Sequence, residues 1–165
     1  MINFRKIKTL VMLLAVVLML CTACGDKVKD DIAIADVSDA ISKAIDAGSN
    51  LAPRDDNYIA YMIGIANTDY TECVVMTNTI GTSVDEYGVF KGETEAQATK
   101  LAESLEAYLE AAKTDSLRFS YTPEELPKVE KATVTTRGNY VMYSILSDSN
   151  RSSALEAFEK ILKEG

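Results

Sequence analysis

Three pairs of adjacent acidic residues are the groups best suited to acid–base chemistry: Asp55-Asp56, Asp85-Glu86 and Glu124-Glu125. A glycoside hydrolase needs two carboxyl groups roughly 5 to 9.5 Å apart across a cleft. Adjacent residues of a strand point to opposite faces, which argues against Asp85-Glu86. The helix dipole explains acids at a helix start, such as Glu124-Glu125. The pairs therefore favour structural roles, and a hydrolase that uses carboxylates alone is the alternative.

Other kinds of reactive site find little support in the sequence. It contains no His, which is the most common general base and a common zinc ligand. It also lacks a glycine-rich phosphate loop, a serine elbow, a two-cysteine metal motif and a calcium loop. Cys73 lies in an apolar run without a basic neighbour, which is typical of a buried small hydrophobe rather than a nucleophile. We therefore predict no catalytic residue, no cofactor and no metal site.

Tyrosine is the abundant aromatic residue, with eight copies. Tyr87 and Tyr140 fall on predicted strands, and Tyr58 and Tyr61 fall on a segment that could be helix or strand. Tyrosines enrich binding surfaces because they give contact area at low entropic cost. Half-buried strands favour tyrosine in any case. We therefore interpret these residues as core and sheet positions whose hydroxyls reach the rim, with a ligand-binding face as the alternative.

Apolar residues at helical spacing predict three main helices. The first starts at Ile32 and stops at Gly48, and the second begins at Thr94–Gln97, which has the capping-box spacing. The third covers about 151–163. A weaker helical pattern covers Asn57–Ala66, where periodicity leaves helix or strand open and we favour a short helix.

Alternating apolar residues predict strands over Glu72–Asn78, Val84–Lys91, Lys131–Thr136 and Asn139–Ser147. Gly138 supplies the positive φ that a tight hairpin needs between the last two. The fold that accounts for this order most simply is α+β, with an N-terminal helix followed by ββαββα. We expect one antiparallel sheet of about four strands with helices packed on a face.

The N-terminus predicts export and a lipid anchor. A short basic start is followed by an apolar run from Leu10 to Leu20, which is shorter than the roughly 20 residues of a spanning helix. Small Ala23 then precedes Cys24, and the whole pattern resembles a bacterial lipoprotein signal. The resemblance implies cleavage after Ala23 and a diacylglycerol on the Cys24 sulfur. Two acyl chains would give a stable hold on the outer face of the cell membrane.

These features divide the chain into a signal peptide over 1–23, a tether over 24–31 and a single domain over 32–165. Removal of residues 1–23, which carry three basic residues and no acid, would leave 14 basic and 25 acidic residues and a net charge of −11. Such an acidic surface argues against nucleic acid and repels anionic head groups, so the lipid must make the membrane contact. The domain is also too short for the two lobes of a solute receptor.

Three further segments carry a resemblance to a known family: Asp85–Lys91 (DEYGVFK), Tyr121–Glu125 (YTPEE) and Gly138–Val141 (GNYV). With the lipoprotein start, their order is similar to domain-of-unknown-function family 4358, which is common in clostridial-type Gram-positive bacteria. The similarity covers roughly residues 72–162. Tyr87 stands where the family usually has an aliphatic residue and Gly88 where it has Ala. The resemblance implies location and fold and supplies no catalytic residue.

These observations together predict a membrane-anchored lipoprotein outside the cytoplasm. Its domain is expected to be a non-catalytic binding or adaptor module with a protein partner at the cell surface. The carboxylate-dependent hydrolase is the alternative function.

Overall fold

A computed structural model describes residues 28–114 and 123–164. Within these residues, five strands form one antiparallel sheet in the spatial order β1-β2-β3-β5-β4. The strands are β1 (Leu51–Pro53), β2 (Glu72–Asn78), β3 (Glu86–Lys91), β4 (Thr133–Arg137) and β5 (Tyr140–Ile145). The α-helices are α1 (Ile34–Ala44), α2 (Asp56–Tyr58), α3 (Glu95–Thr114), α4 (Leu126–Glu130) and α5 (Asp148–Glu164). The structure thus confirms the predicted mixture of helices with a single antiparallel sheet.

Two hairpins form the centre and one edge of the sheet. The β2–β3 hairpin places Thr77 opposite Glu86, and β3 then pairs with β5 so that Glu86 lies opposite Ile145. The β4–β5 turn passes through Gly138, whose φ of +56° fits the predicted tight turn. Glu86 therefore starts the central strand, at the end of the sheet away from the β4–β5 turn.

Helices cover both faces of the sheet, so the prediction of helices on one face was too simple. One face packs Val75, Phe90 and Tyr143 against Leu101 and Leu105 of α3. The other face packs residues of β3 and β5 against α1 and α5, including Val37, Ile41, Tyr87, Met142 and Phe158. Central strands that are buried on both faces have no solvent side, and β5 is accordingly buried along its whole length.

The ends of two helices follow from local side-chain bonds. The Thr94 hydroxyl accepts from the Gln97 N–H at 3.2 Å, and the Gln97 side chain accepts from the Glu93 N–H at 2.6 Å, as expected at the start of α3. α5 begins at Asp148, three residues before the predicted start, where Ser147 Oγ accepts from the Asn150 N–H. Asn150, which directly precedes the predicted start, is therefore inside the helix.

The weak helical pattern after Asn57 forms a short helix, as favoured. α2 continues as a π turn over Ile59–Ile63 and ends at Gly64, whose φ is +84°. Asp55 caps α2 by accepting from the Tyr58 N–H at 2.9 Å. The prediction missed strand β1, which makes the sheet five-stranded rather than four-stranded, because it is three residues long and ends in proline.

The segment before α1 lies along the domain. Val28 packs beside Gly138, and the Lys29 N–H donates to the Leu162 carbonyl oxygen at 3.1 Å. The Tyr140 hydroxyl donates to the Ile32 carbonyl oxygen at 2.8 Å. The chain therefore joins the domain at the β4–β5 turn. The predicted signal peptide, Cys24 and the residues of the predicted tether before Val28 lie outside the described residues.

Candidate functional site

The most unusual polar residue of the core is Glu86, the first residue of β3. Only 4% of its surface is exposed, and it lies on the α3 face among apolar neighbours. A carboxylate in such a place is costly unless hydrogen bonds or a counter-charge compensate for the lost water. The surroundings of Glu86 therefore decide what this end of the sheet can do.

Three tyrosines from three different elements donate hydrogen bonds to the Glu86 carboxylate. The hydroxyls of Tyr143 on β5 and Tyr108 on α3 lie 2.6 and 2.9 Å from Oε1. The hydroxyl of Tyr58 on α2 lies 2.9 Å from Oε2. Complete burial and the adjacent Glu86 charge raise the pKa of Tyr143 well above its ordinary value, so its hydroxyl keeps the proton that it donates.

Gly88 makes room for one of these donors. It is the direct cross-strand partner of Tyr143, and a Cβ at Gly88 would come within 2.3 Å of Tyr143 Cε1. The Tyr143 ring therefore lies over the bare backbone of Gly88 and reaches back along the sheet to Glu86. This close approach explains why glycine fits at position 88.

A pocket of about 210 Å³ opens beside Glu86. Its lining combines charged, hydroxyl, amide and apolar groups, namely Arg54, Tyr58, Thr77, Asn78, Ser83, Val84, Asp85, Glu86 and Ile145. Arg54 Nε donates to the hydroxyl of Thr77, the cross-strand partner of Glu86. The guanidinium carbon of Arg54 lies 5.2 Å from the centroid of the Tyr58 ring. Tyr58 and Thr77 thus hold an arginine and a glutamate at one small pocket.

A second polar cluster borders the pocket and joins α4 to the β2–β3 loop. Lys128 Nζ lies 2.9 Å from Asp85 Oδ1, 2.7 Å from Glu125 Oε2 and 3.1 Å from Ser83 Oγ. Glu125 Oε2 also accepts from the Val84 N–H and the Ser83 hydroxyl, both at 3.0 Å. These bonds fix the loop that forms one wall of the pocket.

The protonation states in this cluster follow from its bonds. Burial alone would raise the pKa of Glu125, but hydrogen bonds from Lys128, Val84 and Ser83 and the Lys128 charge outweigh it and lower that pKa. Burial would lower the pKa of Lys128, yet its bonds to Glu125 and Asp85 and their charges raise it. Lys128 therefore stays protonated, and its closeness to Ser83 does not make it the base of a Ser–Lys pair.

The acid pairs singled out in the sequence divide among different roles. Asp85 and Glu86 both line the pocket, contrary to the strand-alternation argument, because β3 begins only at Glu86 and alternation does not apply to Asp85. Asp55 caps α2, and Asp56 accepts from the Tyr70 hydroxyl at 3.5 Å. The remaining pair separates into an exposed Glu124 and the ion-paired Glu125 described above.

The other predicted residues take no part in the pocket. Cys73 is half-buried beside Tyr70, and burial raises the pKa of its thiol, which suits the predicted small-hydrophobe role. Tyr87 and Tyr140 are fully buried in the sheet, whereas Tyr61 is 85% exposed. Among residues 28–114 and 123–164, His, Cys, Asp and Glu form no group of three that could hold a metal ion.

Sequence reasoning missed the convergence on Glu86. Tyr58, Tyr108 and Tyr143 lie 28, 22 and 57 residues from Glu86 in the chain, so no local motif joins them. One usable signal was present, since an acidic residue opens a strand that is otherwise apolar and buried. Such a residue needs several donors around it.

The fold and the pocket define a small α/β domain with one antiparallel sheet and a polar pocket at one end. The chain belongs to the family described as Domain of unknown function (DUF4358), whose model matches residues 43–146. The match begins and ends earlier than the predicted 72–162, and all nine pocket residues fall inside it. Neither the comparison with curated proteins nor that with solved structures finds a match. In the described ranges, no helix is long and apolar enough to cross a membrane.

Proposed function

We propose that this protein is a lipid-anchored binding module that presents a non-catalytic pocket on the outer face of the cell membrane. The anchor rests on the N-terminal pattern that ends at Ala23-Cys24. The binding role rests on a single structural observation, the pocket in which Glu86 is fixed by three tyrosines beside Arg54. Rigid, preorganised polar groups of this kind favour recognition of a ligand.

The position of the pocket supports an outward-facing role. The N-terminal segment meets the domain beside Gly138, at the end of β3 marked by Lys91. The pocket lies at the Glu86 end of the same strand. Glu86 and Lys91 are the first and last of six strand residues, and the five steps between them cover about 17 Å. A domain held at its N-terminal segment would therefore turn the pocket away from the bilayer.

The anchor is tested by labelling cells that express the full chain with radioactive palmitate. We expect label in the wild-type protein, loss of label in Cys24→Ser, and accumulation of the unprocessed chain with globomycin. Cys73→Ser is the matched control and should label like the wild type. A Cys24→Ser protein that still carries palmitate would overturn the anchor.

The binding role is tested on full-length protein isolated from its own membrane and then denatured. Mass spectrometry of the released small molecules should show compounds enriched with the wild type and reduced with Arg54→Gln. Lys100→Gln, an exposed charge change on α3, is the control. Identical profiles for wild type and Arg54→Gln would count against a ligand in this pocket.

A carboxylate-dependent hydrolase is the second candidate, and the shared pocket of Asp85 and Glu86 favours it. Both carboxylates already have close partners, Lys128 for Asp85 and three tyrosines for Glu86. The hydrolase would release reducing ends or amines from cell-wall material, and Asp85→Asn would abolish that release. Release that continues in Asp85→Asn and in Glu86→Gln would exclude this alternative.

A further inference from the structure

We propose that the pocket beside Glu86 binds a small zwitterion of amino-acid size, with its ammonium group on Glu86 and its carboxylate on Arg54. This inference deepens the proposed binding function and rests on it. It follows from three properties of the pocket, which are the charge of Glu86, the Nη donors of Arg54, and the small volume.

The first property concerns the charge of Glu86. Within residues 28–114 and 123–164, none of the ion pairs includes Glu86, although only 4% of its surface is exposed. A carboxylate offers roughly four acceptor positions, and the three tyrosines fill three of them. Among the described residues, Oε2 receives the Tyr58 hydroxyl alone, whereas Oε1 receives two donors. One acceptor position therefore remains on Oε2, and an ammonium group supplies both the donor and the missing charge.

The second property concerns Arg54. Its Nε is bonded to Thr77 and its guanidinium stacks over Tyr58, which fixes the side chain at the pocket. In the described part of the chain, neither an ion pair nor a hydrogen bond engages its two Nη atoms. A guanidinium presents paired donors that match the two oxygens of a carboxylate. Arg54 is thus suited to receive the acidic group of a ligand.

The third property is the spacing and size of the pocket. Arg54 and Glu86 do not form an ion pair, and both are held by the same two residues, Tyr58 and Thr77. The two opposite charges therefore line the same pocket without pairing directly with each other. A volume of about 210 Å³ is below the roughly 300–1,000 Å³ of sites for drug-sized ligands. Val84 and Ile145 add an apolar wall for a short side chain.

This proposal differs from a two-lobed solute receptor. Here the sheet, the β2–β3 loop and the segment that runs from the end of β1 through α2 supply every pocket residue. A lone amine would leave Arg54 unmatched, and a lone acid would face the negative charge of Glu86. The arrangement therefore favours a ligand with both charges over one with either.

The test uses isothermal titration calorimetry at pH 7 with full-length protein in detergent micelles. L-Alanine is the zwitterion, ethylamine is the same molecule without its carboxylate, and propionate is the same molecule without its amine. Glycine and L-serine extend the panel. We expect at least one of the three amino acids to bind, and its single-charge counterparts to bind at least tenfold more weakly.

Two variants remove one charge each. Arg54→Gln changes an exposed side chain and should reduce amino-acid affinity at least tenfold while the fold is retained. Glu86→Gln should do the same, and circular dichroism checks that it folds. The controls are Lys100→Gln and Glu103→Gln on the exposed side of α3, which should bind like the wild type.

The outcomes separate this inference from the proposed function. No binding by any of the three amino acids overturns the zwitterion, and so does binding that survives Arg54→Gln. If amino acids fail while the wild type still releases a different compound that Arg54→Gln does not, the binding function stands and the ligand class is wrong. If the wild-type protein carries no lipid but binds an amino acid, the ligand class is supported and only the anchor is refuted.

Discussion

Glu86 is a buried acid that tyrosines, rather than a cation, hold in place. Hydrogen bonds to charged groups contribute about 1.5–3 kcal/mol each, and a buried charge without partners is strongly unfavourable. The three hydroxyls bind Glu86 from a strand, a long helix and a short helix. The carboxylate therefore links these elements as well as shaping the pocket floor.

Tyr108→Phe tests this link with a change that keeps the ring. The variant removes one donor to Glu86 Oε1, at a position only 6% exposed. We expect the free energy of unfolding to fall by about 1.5–3 kcal/mol, measured by urea denaturation. Tyr61→Phe, at an 85% exposed position, is the control and should be nearly neutral. Equal effects in both variants would show that the bond contributes little.

Gly88→Ala tests the close approach of Tyr143. The added methyl group would meet the buried ring at 2.3 Å, so the ring must move and its bond to Glu86 must lengthen. We expect a loss of about 1–3 kcal/mol in the free energy of unfolding, typical of overpacking. The same change in a Tyr143→Leu background should cost less, because the ring is absent. An equal cost in both backgrounds would contradict the steric explanation.

At the level of elements, α4 fastens the β2–β3 loop through Lys128 and Glu125. The bonded Glu125 carboxyl has a folded pKa below its ordinary value of 4.5. Its contribution to stability is therefore fully present above the unfolded pKa and is lost as the pH falls through the lower folded pKa. Lys128 behaves oppositely, because its pKa is raised in the folded state. Its contribution to stability is fully present below the unfolded pKa and is lost as the pH rises through the higher folded pKa.

Glu125→Gln should remove the acid-dependent part of this contribution. We expect the variant to be less stable than the wild type by about 1.5–3 kcal/mol at pH 7, with the difference shrinking as the pH falls from 5 towards 3. Urea denaturation at each pH measures it. Glu124→Gln, the exposed neighbour, should stay within about 0.5 kcal/mol of the wild type throughout. A constant difference across the pH range would show that Glu125 acts through packing alone.

The elements themselves were largely predictable where a period repeats over several residues. The two faces of β2, β3 and β5 follow from strict alternation, and the buried stripe of α3 follows from helical spacing. β1 was not predictable, because three residues that end in Pro53 are too few to show an alternation of apolar and polar residues. The early start of α5 was missed because Ser147, rather than a later residue, caps it.

At the level of the whole molecule, the pocket depends on pairings that a single sequence does not reveal. The cross-strand pair Thr77–Glu86 sets the distance between Arg54 and the carboxylate, and that register comes from the fold. Tyrosine content alone favoured core residues, which holds for Tyr87 and Tyr140. It could not show that three hydroxyls meet at one acid, since the donors come from distant segments.

The last prediction concerns how a lipidated molecule would sit on a bilayer. If Cys24 carries the lipid, three residues separate it from Val28, and the four steps of the chain between them span at most about 14 Å. Val28 packs beside Gly138, so that end of the sheet is held near the head groups. The pocket loop around Gly81 lies at the other end of β3, farther out by about 20 Å.

Paramagnetic lipid head groups in nanodiscs would measure this orientation by NMR. We expect strong broadening of the amide signals of Gly138 and Gly92 and little broadening at Gly81 and Thr82. Cys24→Ser protein mixed with the same nanodiscs is the control and should show weak broadening throughout. Greater broadening at Gly81 than at Gly138 would reverse the proposed orientation, and it would place the pocket against the membrane because the loop that forms its wall would then contact lipid.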